Sequence, residues 1–155
     1  MTFAELRESA RHLNDRIRAA VPTWGTGTVF DGDPGLLGRL VSRMALATGE
    51  RELRHVAVDA GEDSLHVVLF LQDSVVDASF KESALVVDVL PLDIVSMRVT
   101  ATQDALDDER FDPEQPIAVN VTLAEGRTIT LRGSGEDDDA LTRYLPTLFA
   151  RVSAH

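Results

Sequence analysis

The chain has 155 residues, room for one ordinary domain, and a domain of that size buries roughly two-thirds of the surface its unfolded chain exposes. Forty-four per cent of the residues are hydrophobic, which excludes wholesale disorder. With no cysteine, a disulfide scaffold, a thiolate metal site, an iron–sulfur cluster and a cysteine nucleophile are all excluded. The net charge of −11 repels phosphate and so argues against nucleic acid and anionic lipid as general partners. The longest apolar run, Val67 to Leu71, is far short of a membrane span. The opening MTFAELRESARHL lacks the apolar stretch of a signal peptide, so the expected compartment is the cytoplasm.

The charge is uneven. Residues 1–54 carry eight basic and seven acidic side chains, and residues 55–155 carry seven and 19. Asp104 to Glu114 alone holds six acids, among them Asp104, Asp107, Asp108 and Asp112, and Glu136 to Asp139 adds four in a row. These stretches read as solvated loops, with an acidic patch for a cation or a basic partner as the sharper reading.

In chain order, Phe3, Leu6, Ala10, Leu13, Ile17 and Val21 mark one helical stripe, with Thr2 and Glu5 at capping-box spacing and Pro22 as the stop. Arg7, Arg11, Asn14 and Arg18 lie on its far face, a solvated back or a basic docking surface. Residues 22–33 read as a loop. It contains Trp24, which either packs one helix against the rest or anchors an interface. Gly25 and Gly27 begin a dinucleotide-type glycine pattern, but Phe30 stands where it needs its third glycine. Asp31 and Asp33 resemble the start of a calcium loop whose twelfth position is Ser42 instead of glutamate. Asp33 and Pro34 instead suit the cap and first turn of a second helix carrying Leu36, Leu37, Leu40, Val41 and Met44 and ending near Gly49.

From Leu53 the apolar period falls to two. A two-residue Glu62–Asp63 loop pairs Val58 with Val67 and Val56 with Leu69, and it sets Asp59 opposite His66 as a cross-strand pair. Val68 and Phe70 make the other face of that second strand apolar too, so it requires cover on both sides, from the helices or from a second subunit. Further strands are expected at 75–80, 84–90, 94–102, 117–123 and 128–132. In the last hairpin only a three-residue loop, Ala124–Gly126, sets Val121 opposite Ile129 and aligns the apolar faces. Leu141, Tyr144, Leu145, Leu148 and Val152 mark a closing helix, which Pro146 is expected to kink or split.

The expected fold class is therefore α+β: a two-helix N-terminal extension over 1–52, then seven antiparallel strands and one helix over 53–155. That element order resembles the pleckstrin-homology-like superfold of bacterial type, a bent sheet or partial barrel plugged by a C-terminal helix. The segments LPLDIVSMRVT and AVNVTLAEGRTITLRG look like a strand entry and a closing hairpin of that class. Lipid-binding members resemble one another in a basic loop between the first two strands. Here residues 60–64 carry Glu62 and Asp63 and no base, so phosphoinositide binding is disfavoured. The runner-up, a secretion-chaperone-like α+β sandwich that is often dimeric, requires a helix within 103–114.

No catalytic signature emerges. His12, His55, His66 and His155 show no metal-ligand spacing, and neither a GxSxG turn nor a phosphate-binding GxxxxGK loop is present. No metal or cofactor is expected. The reading is a non-enzymatic protein-interaction module with an unidentified protein partner and a possible homo-oligomer. Val68, Phe70 and Trp24 are its candidate interaction surface. The alternatives are a dimeric secretion chaperone and a small-molecule binder using a cavity between sheet and helix.

Overall fold

The computed structural model describes residues 1–102, 105, 106, 109, 116–133 and 139–152. The architecture is α+β, and the chain divides into two compact units, Met1–Pro91 and Leu92–His155. The N-terminal helices share a unit with the first four strands. The seven strands form two antiparallel sheets, one of four and one of three strands, in place of a single bent sheet. No helix among the described residues is long and apolar enough to cross a membrane.

In the first unit, α1 (Phe3–Ala20) begins at a complete capping box: Thr2 Oγ1 accepts from Glu5 N–H at 3.1 Å, and Glu5 accepts from Thr2 N–H at 2.7 Å. Leu13 and Ile17 are the buried part of its stripe, whereas Phe3 is exposed and lies under the Arg7 guanidinium. The expected loop at 22–33 contains a short helix, α2 (Thr28–Asp31). It buries Val29 and Phe30, and the Trp24 ring meets Phe30 edge-on at 5.5 Å. The next helix, α3 (Leu36–Thr48), starts after Gly35 with no side-chain cap, so Asp33 is not its N-cap. The Asp33 carboxylate is taken by Arg39 at 2.7 Å, and its carbonyl closes a turn onto Leu36 N–H. Gly49 ends α3 with the expected positive φ, 62°.

The first sheet runs β1 (His55–Ala60), β2 (Leu65–Phe70), β3 (Ser74–Lys81) and β4 (Ala84–Pro91), paired in that order. The β1–β2 register is Val58 to Val67, Val56 to Leu69 and Asp59 to His66, closed by Gly61 and Ser64 around Glu62–Asp63. One face, with Val56, Leu65, Val67, Leu69, Val76, Ala78 and Phe80, forms a single core with Leu13, Ile17, Trp24, Leu36, Leu40 and Met44 from the helices. Fully burying each of the larger side chains contributes roughly 1.5–3 kcal/mol before entropy is counted.

The second unit holds β5 (Ile94–Ala101), β6 (Ile117–Leu123) and β7 (Thr128–Gly133), in that order. The β6–β7 loop sets Val121 opposite Ile129, with Gly126 at φ 102°. Irregularities in β5 after Ile94 and after Val99 break the simple alternation, and Val99 is exposed. The closing helix, α4 (Ala140–Phe149), packs on β7 and is capped by Asp139, which accepts from Leu141 N–H and Thr142 N–H. It runs through Pro146 as one element, so the expected split does not occur. The proposed helix within 103–114 falls almost entirely outside the described residues.

Candidate functional site

The four-stranded sheet has two edges, β1 and β4. At the β4 edge, Lys81 pairs with Ala84 around the two-residue turn Glu82–Ser83, whose φ values of 54° and 64° are those of a tight hairpin turn. A hairpin closed this way directs the backbone groups of residues 84, 86, 88 and 90 at β3 and those of Leu85, Val87 and Val89 outward. A second observation agrees: Arg43, on α3, donates from Nη1 to the Leu85 carbonyl at 2.7 Å, so that carbonyl points away from β3. Val87 and Val89 therefore each present an outward N–H and C=O. Among the described residues, no strand pairs with that side of β4.

Most side chains along this edge are apolar, with Asp88 the one charged residue of β4. Val86 and Val89 are 48% and 46% exposed, against 0% for Val67 and 1% for Val68 in β2. Val89 lies on the helix-facing side, opposite Val76, and Val86 lies on the other, opposite Ser79. Leu46, one turn beyond Arg43 on the same face of α3, is 59% exposed. Long, exposed apolar edges are the ones to which another strand adds, and proteins that avoid this place lysine, proline or a bulge along them. Here Pro91 stands only at the end of β4, and the pairing with β3 runs without a break from Ala84 to Pro91.

The surface expected from sequence lies elsewhere. Val68 and Phe70 are buried, at 1% and 0% exposure, and Trp24 is buried at 3% with its Nε1–H donating to Asn14 Oδ1 at 2.8 Å. None of the three is an exposed anchor, and Asn14 is tied into the fold and not free for docking. Asp59 stands opposite His66 in the register, but His66 Nε2 lies 2.5 Å from Oδ1 of Asp77, on the neighbouring strand β3. Asp77 is nearly buried, so its carboxylate requires that partner. Ser79 lies opposite His66 and on the same face as Asp77, giving a serine, a histidine and an aspartate together. The observed partner of His66 Nε2 is Asp77. As built, this is a carboxylate–imidazole pair that fixes the sheet face.

The acidic patch of Asp104, Asp107, Asp108 and Asp112, and His155, lie outside the described residues. Among the described residues no three His, Asp or Glu side chains are placed to hold a metal ion.

A groove of about 350 Å³ lies between α1 and the end of α3, with Ser9, His12 and Arg16 facing Thr48, Glu50 and Arg51. Its polar stripe at 9, 12 and 16 follows helical spacing beside the apolar one, a signal present in the sequence. The guanidinium groups are already engaged. Arg16 donates to the Leu53 carbonyl, and Arg51 donates to the Thr48 and Ala47 carbonyls and to Ser74 Oγ. Arg51 thus closes the negative end of α3 and is not presented to an anion.

No family model, curated protein or solved structure matches the chain.

Proposed function

We propose that this chain is a non-enzymatic protein-interaction module that binds an extended segment of a partner by adding it as a strand to the outer edge of β4. The observation that carries this reading is the row of outward backbone groups at Val87 and Val89, which no strand among the described residues pairs, flanked by exposed Val86, Val89 and Leu46. Main-chain hydrogen bonds supply affinity in such complexes, and the flanking side chains supply selection. A pleckstrin-homology-like scaffold remains part of the reading. Seven antiparallel strands followed by one amphipathic helix support it, and the acidic Glu62–Asp63 turn speaks against phosphoinositide as ligand.

The test is a titration of the isotope-labelled full chain with a neutral peptide of alternating valine and threonine, following backbone amides by NMR. The expected result is that the Val87 and Val89 amides shift most and exchange more slowly. In Val87→Pro the fold persists, because that N–H points outward, and the peptide response disappears. Binding that survives Val87→Pro unchanged would place the interaction elsewhere.

A further inference from the structure

The two ends of the β4 edge carry complementary defects. Near its start, Arg43 holds the Leu85 carbonyl at 2.7 Å, so that outward acceptor is already satisfied. At its end, Pro91 has no N–H to give. We infer that this edge is a self-association surface whose occupant is β4 of a second copy, running antiparallel about a two-fold axis at Asp88. This inference rests on the strand-addition reading above and names the partner.

For two antiparallel copies of one strand, the position of the two-fold axis sets every pairing. An axis at Val87 sets Leu85 against Val89 of the other copy, and an axis at Val86 sets Leu85 against Val87. In both, a valine N–H is aimed at a carbonyl that Arg43 already occupies. An axis at Val89 sets Val87 against Pro91, and the Val87 carbonyl gains no donor. Each of these losses occurs twice by symmetry. An axis at Asp88 sets Val87 against Val89, which exchange both their N–H and C=O bonds, and it sets Leu85 against Pro91. The Leu85 N–H donates to the Pro91 carbonyl. The donor that Pro91 lacks is the one that the Leu85 carbonyl, held by Arg43, does not need. Among these registers, this one alone makes the two defects cancel.

A strand of ordinary sequence lacks this fit. Its N–H opposite Leu85 meets an occupied carbonyl, and its carbonyl opposite Pro91 meets no donor. The side chains also suit a second copy. In the Asp88 register, Val86 stands opposite Leu90 of the other copy on one face, and Val89 stands opposite Val87 on the helix side. The exposed Val86 and Val89 each gain an apolar neighbour in this way. At the axis the two Asp88 residues meet. Asp88 already has an interaction within its own chain and already stands opposite a carboxylate, Asp77 of β3, so the new contact repeats an arrangement that the sheet accommodates. Its cost, and the charge of −11 on each copy, make the association weak and let salt strengthen it. In dilute solution the edge is free for a peptide, and a second copy closes it as concentration rises.

The test is sedimentation equilibrium of the full chain up to about 1 mM, which reaches the weak affinities of small interfaces, with backbone amides followed by NMR over the same range. The expected result is a reversible monomer–dimer equilibrium, favoured by added salt, in which the Leu85, Val87 and Val89 amides become protected as concentration rises. Arg43→Ala leaves the Leu85 carbonyl without a partner, and Pro91→Ala adds an N–H without an acceptor. Each should weaken the dimer at least about tenfold, since the loss occurs twice. The double variant gives the new N–H to the freed carbonyl and should return to within about threefold of wild type, a rescue that damage to the fold would not produce. Single variants without effect, or a double variant weaker than either single, would overturn the Asp88 register. A chain that stays monomeric at about 1 mM, while the valine–threonine peptide still shifts Val87 and Val89, would overturn the second copy as occupant and leave the strand-accepting edge standing. A monomer whose amides the peptide does not perturb would overturn both readings.

Discussion

Strands β2 and β4 are written in nearly the same letters and have opposite fates. β2 reads Leu-His-Val-Val-Leu-Phe, and β4 reads Ala-Leu-Val-Val-Asp-Val-Leu-Pro. β2 has a neighbour on each side, and five of its six residues are buried; β4 has one neighbour among the described strands, and none of its eight residues is fully buried. A pair of valines therefore encodes a core in one place and an accessible edge in the other. The difference comes from the number of neighbouring strands and not from the hydrophobicity of the strand.

The comparison breaks most visibly under charge. Val67→Asp, at 0% exposure, should cost about 3 kcal/mol or more in urea unfolding, enough to abolish a marginal fold, whereas Val86→Asp should stay within about 0.5 kcal/mol. Similar costs at the two sites would show that the β4 edge is covered. A finer cut lies within β4 itself. Asp88 directs its N–H at β3, so Asp88→Pro should cost about 1–3 kcal/mol more than Val87→Pro, measured by the same unfolding curves. The reverse order would shift the hydrogen-bonding phase by one residue and move the outward groups off Val87 and Val89.

The smallest effect lies at the start of α3 and serves as a baseline for surface electrostatics. The Arg39 hydrogen bond holds the Asp33 carboxyl below its usual range near 3.8. Because the folded value is the lower one, the contribution is present above the ordinary carboxylate range and lost as pH falls through the folded value. The pair is exposed and easily screened, so the wild type should gain only slightly over Asp33→Asn near neutral pH, and the gap should close in acid.

Much of the local structure was legible in the sequence. The registers of Val58 with Val67 and of Val121 with Ile129 follow from one demand, that apolar faces coincide, which only one loop length satisfies. The capping box at Thr2 and Glu5 and the Gly49 stop are equally local. What failed depended on distance. The cover that Val68 and Phe70 require was left open between the helices and a second subunit, because the sequence does not say which supplies it; both are buried within the chain. Asp33 reads as a cap until Arg39, six residues away, takes its carboxylate. The site was invisible for the same reason. Nothing in the run from Leu85 to Val89 marks it as an edge, and the Arg43 contact that fixes its outward groups spans 42 positions.

The Glu82–Ser83 turn has a consequence for the strand it introduces. Both residues sit in the left-handed region without glycine or asparagine, a conformation that costs ordinary side chains on the order of 1 kcal/mol each. That strain weighs on the hairpin that attaches β4, so this edge strand is tied on by a strained turn. A bound partner strand and an Asn-Gly turn are then two ways of securing the same element: the first supplied by another molecule when it arrives, the second written permanently into the chain. By carrying Glu-Ser, this sequence ties its edge strand on less firmly than an Asn-Gly turn would.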